Sequence, residues 1–220
     1  MTNKDFKDFS TKHLNISSSF YDSYSKLNTT HHILDNLGEG IMVDIFSKLL
    51  DSRIIFLSTE MDSDICNIIK AQLLYLEQMD SKKDIKIYID SPGGSVYSGL
   101  GLLDTMEYVK PDIVTINTGL AASMAAVLLC SGKNGKRKAL KRSRTMIHQP
   151  MSGSYGFYQA SDLEIDAKEI NSLKKELHTI ISEKTGKSYD KVEKDSDRDY
   201  WMTSEEALKY GMIDEIVSKK

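Results

Sequence analysis

Ser123, His148 and the aspartates at 195, 197 and 199 are the residues of this chain whose types could do nucleophilic chemistry together. Ser123 lies in TGLAASMAAVLLC, residues 118–130, after the β-branched run Ile113-Val114-Thr115-Ile116 and Gly119. The order reads as a strand, a tight turn at the glycine, and a small-residue helix with the serine at its mouth. A helix N-terminus leaves backbone N–H groups free and carries partial positive charge, which suits a developing oxyanion. A serine in an alanine-rich helix ordinarily just packs there, so its company decides. His148 follows the strand Thr145 to Ile147 and precedes Pro150, and it supplies the base that a weak hydroxyl nucleophile needs at neutral pH. An acid must then hold the imidazole tautomer, and the run DSDRD offers Asp195, Asp197 or Asp199 without a spacing that chooses among them. The chain order Ser, His, Asp is not that of chymotrypsin-like, subtilisin-like or α/β-hydrolase enzymes, which disfavours those folds.

A nucleophile of this kind also needs donors for the oxyanion. Pro92-Gly93-Gly94 stands at a strand-to-helix turn, where glycines let the backbone turn tightly and bring an N–H close to a bound group. The spacing is not that of a Walker loop and no lysine follows, so phosphate binding is not indicated. Other polar clusters carry less. His31 and His32 have no third metal ligand nearby, and the basic stretch 133–144, KNGKRKALKRSR, reads as a solvated hairpin face. Cys66 and Cys130 sit apart in apolar surroundings without CxxC spacing, the pattern of buried free thiols in a reducing compartment.

The elements that position these residues follow in order. Residues 1 to about 34 are polar and aperiodic and read as a mobile leader. Apolar residues at helical spacing from Ile45 to Leu50 precede a short buried strand over 53–57, and Ser63 to Met79 puts Ile65, Ile68, Ile69, Leu73 and Leu76 on one stripe. A strand from Asp84 to Ile89 runs into the glycine turn, and a helix from Val96 to Val109 ends before Pro111. Beyond the serine helix come a strand pair near 138–140 and 145–147, then a Gly/Ser/Tyr-rich stretch over 152–158. The longest amphipathic helix, residues 160–184, offers Leu163, Ile165, Ile170, Leu173, Leu177, Ile180 and Ile181 for burial and stops at Gly186. A capped helix from Thr203 and a last strand over 212–217 complete the chain. Repeated βα units make the fold class α/β with a mainly parallel sheet. At 220 residues, 40% hydrophobic and 28% charged with a net charge of −3, it reads as one globular domain with no general pull toward nucleic acid or anionic membrane. The first residues lack the apolar core of a secretory signal and no run is long enough to span a membrane, so a cytoplasmic location is expected.

Four ordered motifs, SPGGSV, GLAASMAAVLL, MIHQP and DSDRDYW, resemble the proteolytic subunit of the Clp protease, a self-compartmentalised serine peptidase family of the Clp/crotonase fold. The resemblance runs from about Asp44 to Val217 and implies repeated β-α units with a protruding strand-helix handle. It implies Ser123 as nucleophile, His148 as general base and Asp199 as orienting acid, with the N–H groups of Gly94 and Met124 as the oxyanion hole. It implies a homo-oligomer of two stacked heptameric rings, Asp197 and Arg198 in the ring-to-ring contact, and unfolded polypeptide as substrate. A hexameric AAA+ unfoldase would feed the chamber and dock over Tyr88 and Tyr108, using ATP itself while this chain needs no cofactor. Residues 1–34 resemble a leader or propeptide removed by self-cleavage, which leaves residues 35–220 as a single domain. The chain departs from the family at Lys86, where many members carry an aromatic docking residue, at Ala125, commonly glycine, and over 151–159, which is longer and less glycine-rich. Two other readings compete: a crotonase-like acyl-CoA enzyme, which has no use for Ser123 or His148, and a silent scaffold subunit, which need not keep them.

Overall fold

The computed structural model of the chain describes residues 30–34, 40–151 and 159–218. Most of the expected leader and the stretch 152–158 lie outside these residues. Strand β1 (Thr30–Leu34), at the end of the expected leader, pairs antiparallel with β2 (Gly40–Asp44). The main sheet has a parallel spine in the order β3 (Ile54–Leu57), β4 (Ile85–Ser91), β5 (Ile113–Ala122), β6 (Arg137–Leu140) and β9 (Glu215–Val217). Strand β7 (Arg144–Ile147) joins β5 in parallel, and β8 (Tyr200–Thr203) runs antiparallel to β7. Seven helices lie among the described residues: α1 (Ile45–Asp51), α2 (Ser63–Met79), α3 (Val96–Tyr108), α4 (Met124–Cys130), α5 (Ala160–Thr185), α6 (Tyr189–Asp195) and α7 (Ser204–Tyr210). The α/β class with a largely parallel sheet is as expected.

Local rules explain most element ends. Asp62 caps α2 by accepting from the Ile65 N–H at 2.8 Å, and Ile68, Ile69, Leu73 and Leu76 are buried beneath it. Gly186 ends α5 with φ 71°, the left-handed conformation glycine tolerates. Thr203 and Glu206 form a reciprocal capping box at the start of α7. The serine helix α4 is buried at every position from Met124 to Cys130, as befits a helix apolar all round.

Three expectations are corrected. Gly119 is no break: β5 runs straight through it to Ala122, and the turn falls at Ser123. Instead, the bare Gly119 Cα admits the Asp90 carboxylate, whose Oδ1 would stand 2.5 Å from an added Cβ. That oxygen accepts from the Leu120 N–H at 2.9 Å, at a register shift between Ile89 and Ser91. Strands β6 and β7 do not pair with each other; each pairs with a different half of β5, at Thr115–Asn117 and at Leu120–Ala122. The buried face of α5 is also shorter than its apolar pattern: Leu177 and Ile181 are buried, while Leu163 and Ile165 are 51% and 66% exposed. The buried side chains of this helix, Leu177, His178 and Ile181, all lie in its C-terminal half.

The basic stretch, expected as a solvated hairpin face, is one only in part: Lys133, Lys141, Arg142 and Arg144 are exposed, while its centre is held by ion pairs. Lys136 bridges Asp84 and Asp112 at 2.7 and 3.0 Å, and Lys138 meets Glu215 at 2.6 Å. Arg137, its side chain 7% exposed, donates to both carboxylate oxygens of Asp214 and to the carbonyls of Cys130 and Lys184. One guanidinium thus closes the C-terminal ends of α4 and α5 against the approach to β9. Burial pulls the Asp214 carboxyl upward, but the Arg137 side-chain and backbone hydrogen bonds outweigh it and hold the group below its ordinary value. A depressed native pKa means that the unfolded chain binds the proton more readily, so this stabilisation is full above about pH 4 and lost as pH falls through the native value. Asp214→Asn strands a buried cation and is expected to cost about 3 kcal/mol at pH 7. Urea midpoints at pH 7 and pH 3 check it: the gap between variant and wild type narrows in acid, whereas an equal gap at both would mean the ion pair is not the source.

Candidate active site

Ser123 occupies the single residue between β5 and α4. Its N–H still donates to the Met146 carbonyl at 2.9 Å, as a continuation of the β5–β7 ladder, while its carbonyl accepts from Ala126 and Val127 in the helix. To do both, the backbone adopts φ 55° and ψ −127°. Only Arg53 shares positive φ among the described non-glycine residues. Such a conformation costs on the order of 1–3 kcal/mol and persists only where the surroundings impose it. Here the imposition comes from β7 on one side and buried α4 on the other, and the hydroxyl projects from the end of the sheet.

His148 and Asp199 arrive by register. Strands β7 and β8 run antiparallel with Ile147 opposite Tyr200, so the next residue of one, His148, faces the preceding residue of the other, Asp199. The imidazole joins the two: Nε2 lies 2.8 Å from Ser123 Oγ and Nδ1 lies 3.0 Å from Asp199 Oδ1. The histidine side chain is 13% exposed and the aspartate 58%. Of the other two aspartates in DSDRD, Asp195 is engaged by Lys191 at 2.7 Å and Tyr210 at 3.0 Å. Asp197 meets Gln149, whose side-chain amide donates to its backbone carbonyl at 2.9 Å, and the Gln149 N–H donates to Ser196 at 2.7 Å. These bonds clamp the loop of Asp199 onto the segment of His148.

Gly93 and Gly94, with φ 93° and 146°, turn the chain from β4 toward α3 directly against Ser123. A Cβ on Gly93 would sit 2.6 Å from the Ala122 carbonyl, 2.7 Å from Ser123 Cβ and 3.0 Å from Met124 N. The Met61 N–H donates to the Gly93 carbonyl and the Ser95 N–H to the Met61 carbonyl, both at 2.7 Å, which leaves the Gly94 amide out of the bridge. Among the described residues neither the Gly94 nor the Met124 N–H donates to a protein acceptor. Two unspent amides beside a hydroxyl are what an oxyanion would use.

The other residues named from sequence lie elsewhere. Asp197 and Arg198 are exposed on the surface of the single chain. Tyr88 stacks on Phe56 with ring centroids 5.5 Å apart, and Tyr108 stands exposed at the end of α3. Cys66 and Cys130 are buried free thiols whose pKa values burial raises to about 11. Among the described residues no helix is long and apolar enough to cross a membrane. Sequence reasoning read Gly93 as a turn residue without its packing behind the serine, and passed over Asn117, which holds β7 to β5. The doubled glycine was a signal for the first; a lone asparagine in a strand gave none for the second.

A hydroxyl, imidazole and carboxylate in relay at the end of a parallel sheet, beside two free amides, define a serine hydrolase site. Residues 37–220 match the family model described as Clp protease. The chain is 54% identical to an ATP-dependent Clp protease proteolytic subunit of Bacteroides fragilis, over 98% of this chain and 99% of the relative. It is 52% identical to the protein of that name from Porphyromonas gingivalis, over 98% of each, and 54% identical to a proteolytic subunit 1 from Prochlorococcus marinus, over 83% and 93%. The chain belongs to the Clp protease family, and the serine-endopeptidase reading of its site stands with that membership. Gly93→Ala tests how the site is held: an added methyl must move Ser123 or the β5 end, and a displacement of about 1 Å costs on the order of 100-fold. The rate at which a fluorophosphonate acylates Ser123 should fall by that factor, and an unchanged rate would make Gly93 a turn residue only.

Proposed function

We propose that the chain is an endopeptidase that cleaves unfolded polypeptides by acyl transfer through Ser123, His148 and Asp199. The unbroken hydrogen-bonded relay between these three carries the proposal. Ser123 Oγ attacks the peptide carbonyl while His148 Nε2 takes its proton, and Asp199 holds the imidazole and stabilises its cation. The N–H groups of Gly94 and Met124 receive the oxyanion, and His148 returns the proton to the leaving amine. Water then repeats the sequence in reverse to free the acyl chain. No metal or organic cofactor enters these steps. A crotonase-like acyl-CoA enzyme would leave the relay without a purpose, and a silent scaffold would have no reason to keep it aligned.

The assembly belongs to the same proposal. The relatives' names speak of ATP-dependent proteolysis by a subunit, which supports a partner ATPase and an oligomer. We take the oligomer as two stacked heptameric rings with Asp197 and Arg198 at the ring-to-ring contact, and the ATPase as a hexameric AAA+ unfoldase that docks over Tyr88 and Tyr108. Residues 1–34 act as the removable leader of a single domain over residues 35–220, working in the cytoplasm.

Fluorophosphonate treatment followed by peptide mapping tests the chemistry. The adduct is expected on Ser123 alone, His148→Ala should abolish it, and Asp199→Asn should slow peptide cleavage by about 10⁴-fold. Labelling elsewhere, or full cleavage by Ser123→Ala, would refute the assignment.

A further inference from the structure

Asp199 has little support of its own. Its side chain is exposed, and among the described residues His148 alone bonds its carboxylate. Its neighbours along the chain supply what it lacks, and both are met by one side chain, Tyr210 at the end of α7. Four residues before Asp199, the Asp195 carboxylate, its side chain 8% exposed, accepts from the Tyr210 hydroxyl at 3.0 Å. One residue after it, the Tyr200 ring tilts against the Tyr210 ring with centroids 5.8 Å apart. Tyr210 therefore touches the chain on either side of the acid. Lys191 also bonds Asp195, at 2.7 Å, but it belongs to the same helix, α6, and cannot fix that helix against the rest of the molecule.

The helix that carries Tyr210 is held at both ends. At its start the Ser204 hydroxyl donates to the Leu140 carbonyl at 2.7 Å. At its end Gly211 lies so close to α5 that an added Cβ would stand 2.5 Å from the Thr185 carbonyl. Tyr210 is buried, with Lys187 Nζ 5.5 Å from its ring centroid. Burial, and then the bond to Asp195, raise the Tyr210 hydroxyl above its ordinary pKa, so it keeps its proton and remains a donor at neutral pH. A bond from such a hydroxyl to a buried carboxylate is directional where packing alone is not. We infer that Tyr210 is a positioning residue for the reaction: by holding Asp195 and Tyr200 it sets Asp199 against His148, and it touches no reacting atom itself. The inference rests on the assignment of Asp199 as the orienting acid and adds to it the residue that places that acid.

Tyr210→Phe keeps the ring and deletes the bond. In the full chain in its native assembly it should lower kcat for a fluorogenic peptide about tenfold with KM unchanged, as a displacement of the acid by roughly half an ångström would. The rate at which a fluorophosphonate acylates Ser123 should fall by the same factor. In an Asp199→Asn background, where the acid is already lost, Tyr210→Phe should change that rate less than about twofold, whereas a general loosening of the fold would slow both backgrounds equally. Asp195→Ala, which removes the acceptor instead, should match Tyr210→Phe, and the two together should lose no more than either alone. An unchanged kcat in Tyr210→Phe, or equal losses in both backgrounds, would overturn the inference and leave the triad standing. Should Tyr210→Phe fail to assemble, an unchanged kcat in Asp195→Ala overturns it by itself. A wild type that neither takes the label nor cleaves any peptide would overturn the triad reading as well.

Discussion

Asn117 sits where β5 gives up one neighbour and takes another. Fully buried, it donates its side-chain amide to the Arg144 carbonyl at 2.8 Å and the Thr145 hydroxyl at 3.2 Å. Its side-chain oxygen accepts from the Gly119 N–H at 3.2 Å. A parallel sheet that forks leaves ladder groups unpaired at the fork, and a buried unpaired group costs about 1–3 kcal/mol. A single amide side chain satisfies the gap and at the same time fixes where β7 begins. Each later element of the site inherits its position from that point, because His148 directly follows β7 and Asp199 directly precedes β8, which pairs with β7.

The serine depends on the same fork from the other side. With β6 gone from its flank, β5 runs on beside β7 to Ala122, and the chain must turn within one residue to enter α4. The cost of the positive φ at Ser123 is borne by burial of the whole helix and by the Arg137 guanidinium and Thr115 hydroxyl, which bond the carbonyls at its far end, Thr115 to Leu129 at 2.7 Å. Gly93 then allows the β4 turn to lie against the serine without a side chain between them. Strain at the nucleophile and close packing behind it are one arrangement: a helix less firmly held would relax at the residue that matters most.

The N-terminal half of α5 is a different kind of surface. Its apolar residues Leu163 and Ile165 stay exposed on the single chain, while Asp166, Glu169, Ile170 and Leu173 line a cavity beside Gly94. The same helix therefore serves the body of the chain at its C-terminal end, where Leu177 and Ile181 pack, and reaches away from it at the other.

Much of this was legible in the residues. Periodicity and caps located α2, α3, α5 and α7 to within a residue or two, because a helix stripe and its end signals are local. The types and order of Ser123, His148 and the aspartates pointed to nucleophilic chemistry, because few residue types can do it. What local rules could not decide were pairings between distant strands. Gly119 looked like a turn because its need for close approach to Asp90 is a tertiary fact, and the strands near residues 138 and 146 looked like a hairpin because nearness in sequence is the only guide before the sheet is assembled. The choice of Asp199 over Asp195 and Asp197 could be drawn from family likeness, but its physical cause is the β7–β8 register. The sequence by itself determined which groups could react; the register of two strands on either side of β7 decided which of them meet, since hydrogen bonding between strands, unlike a helix, joins residues the chain keeps far apart.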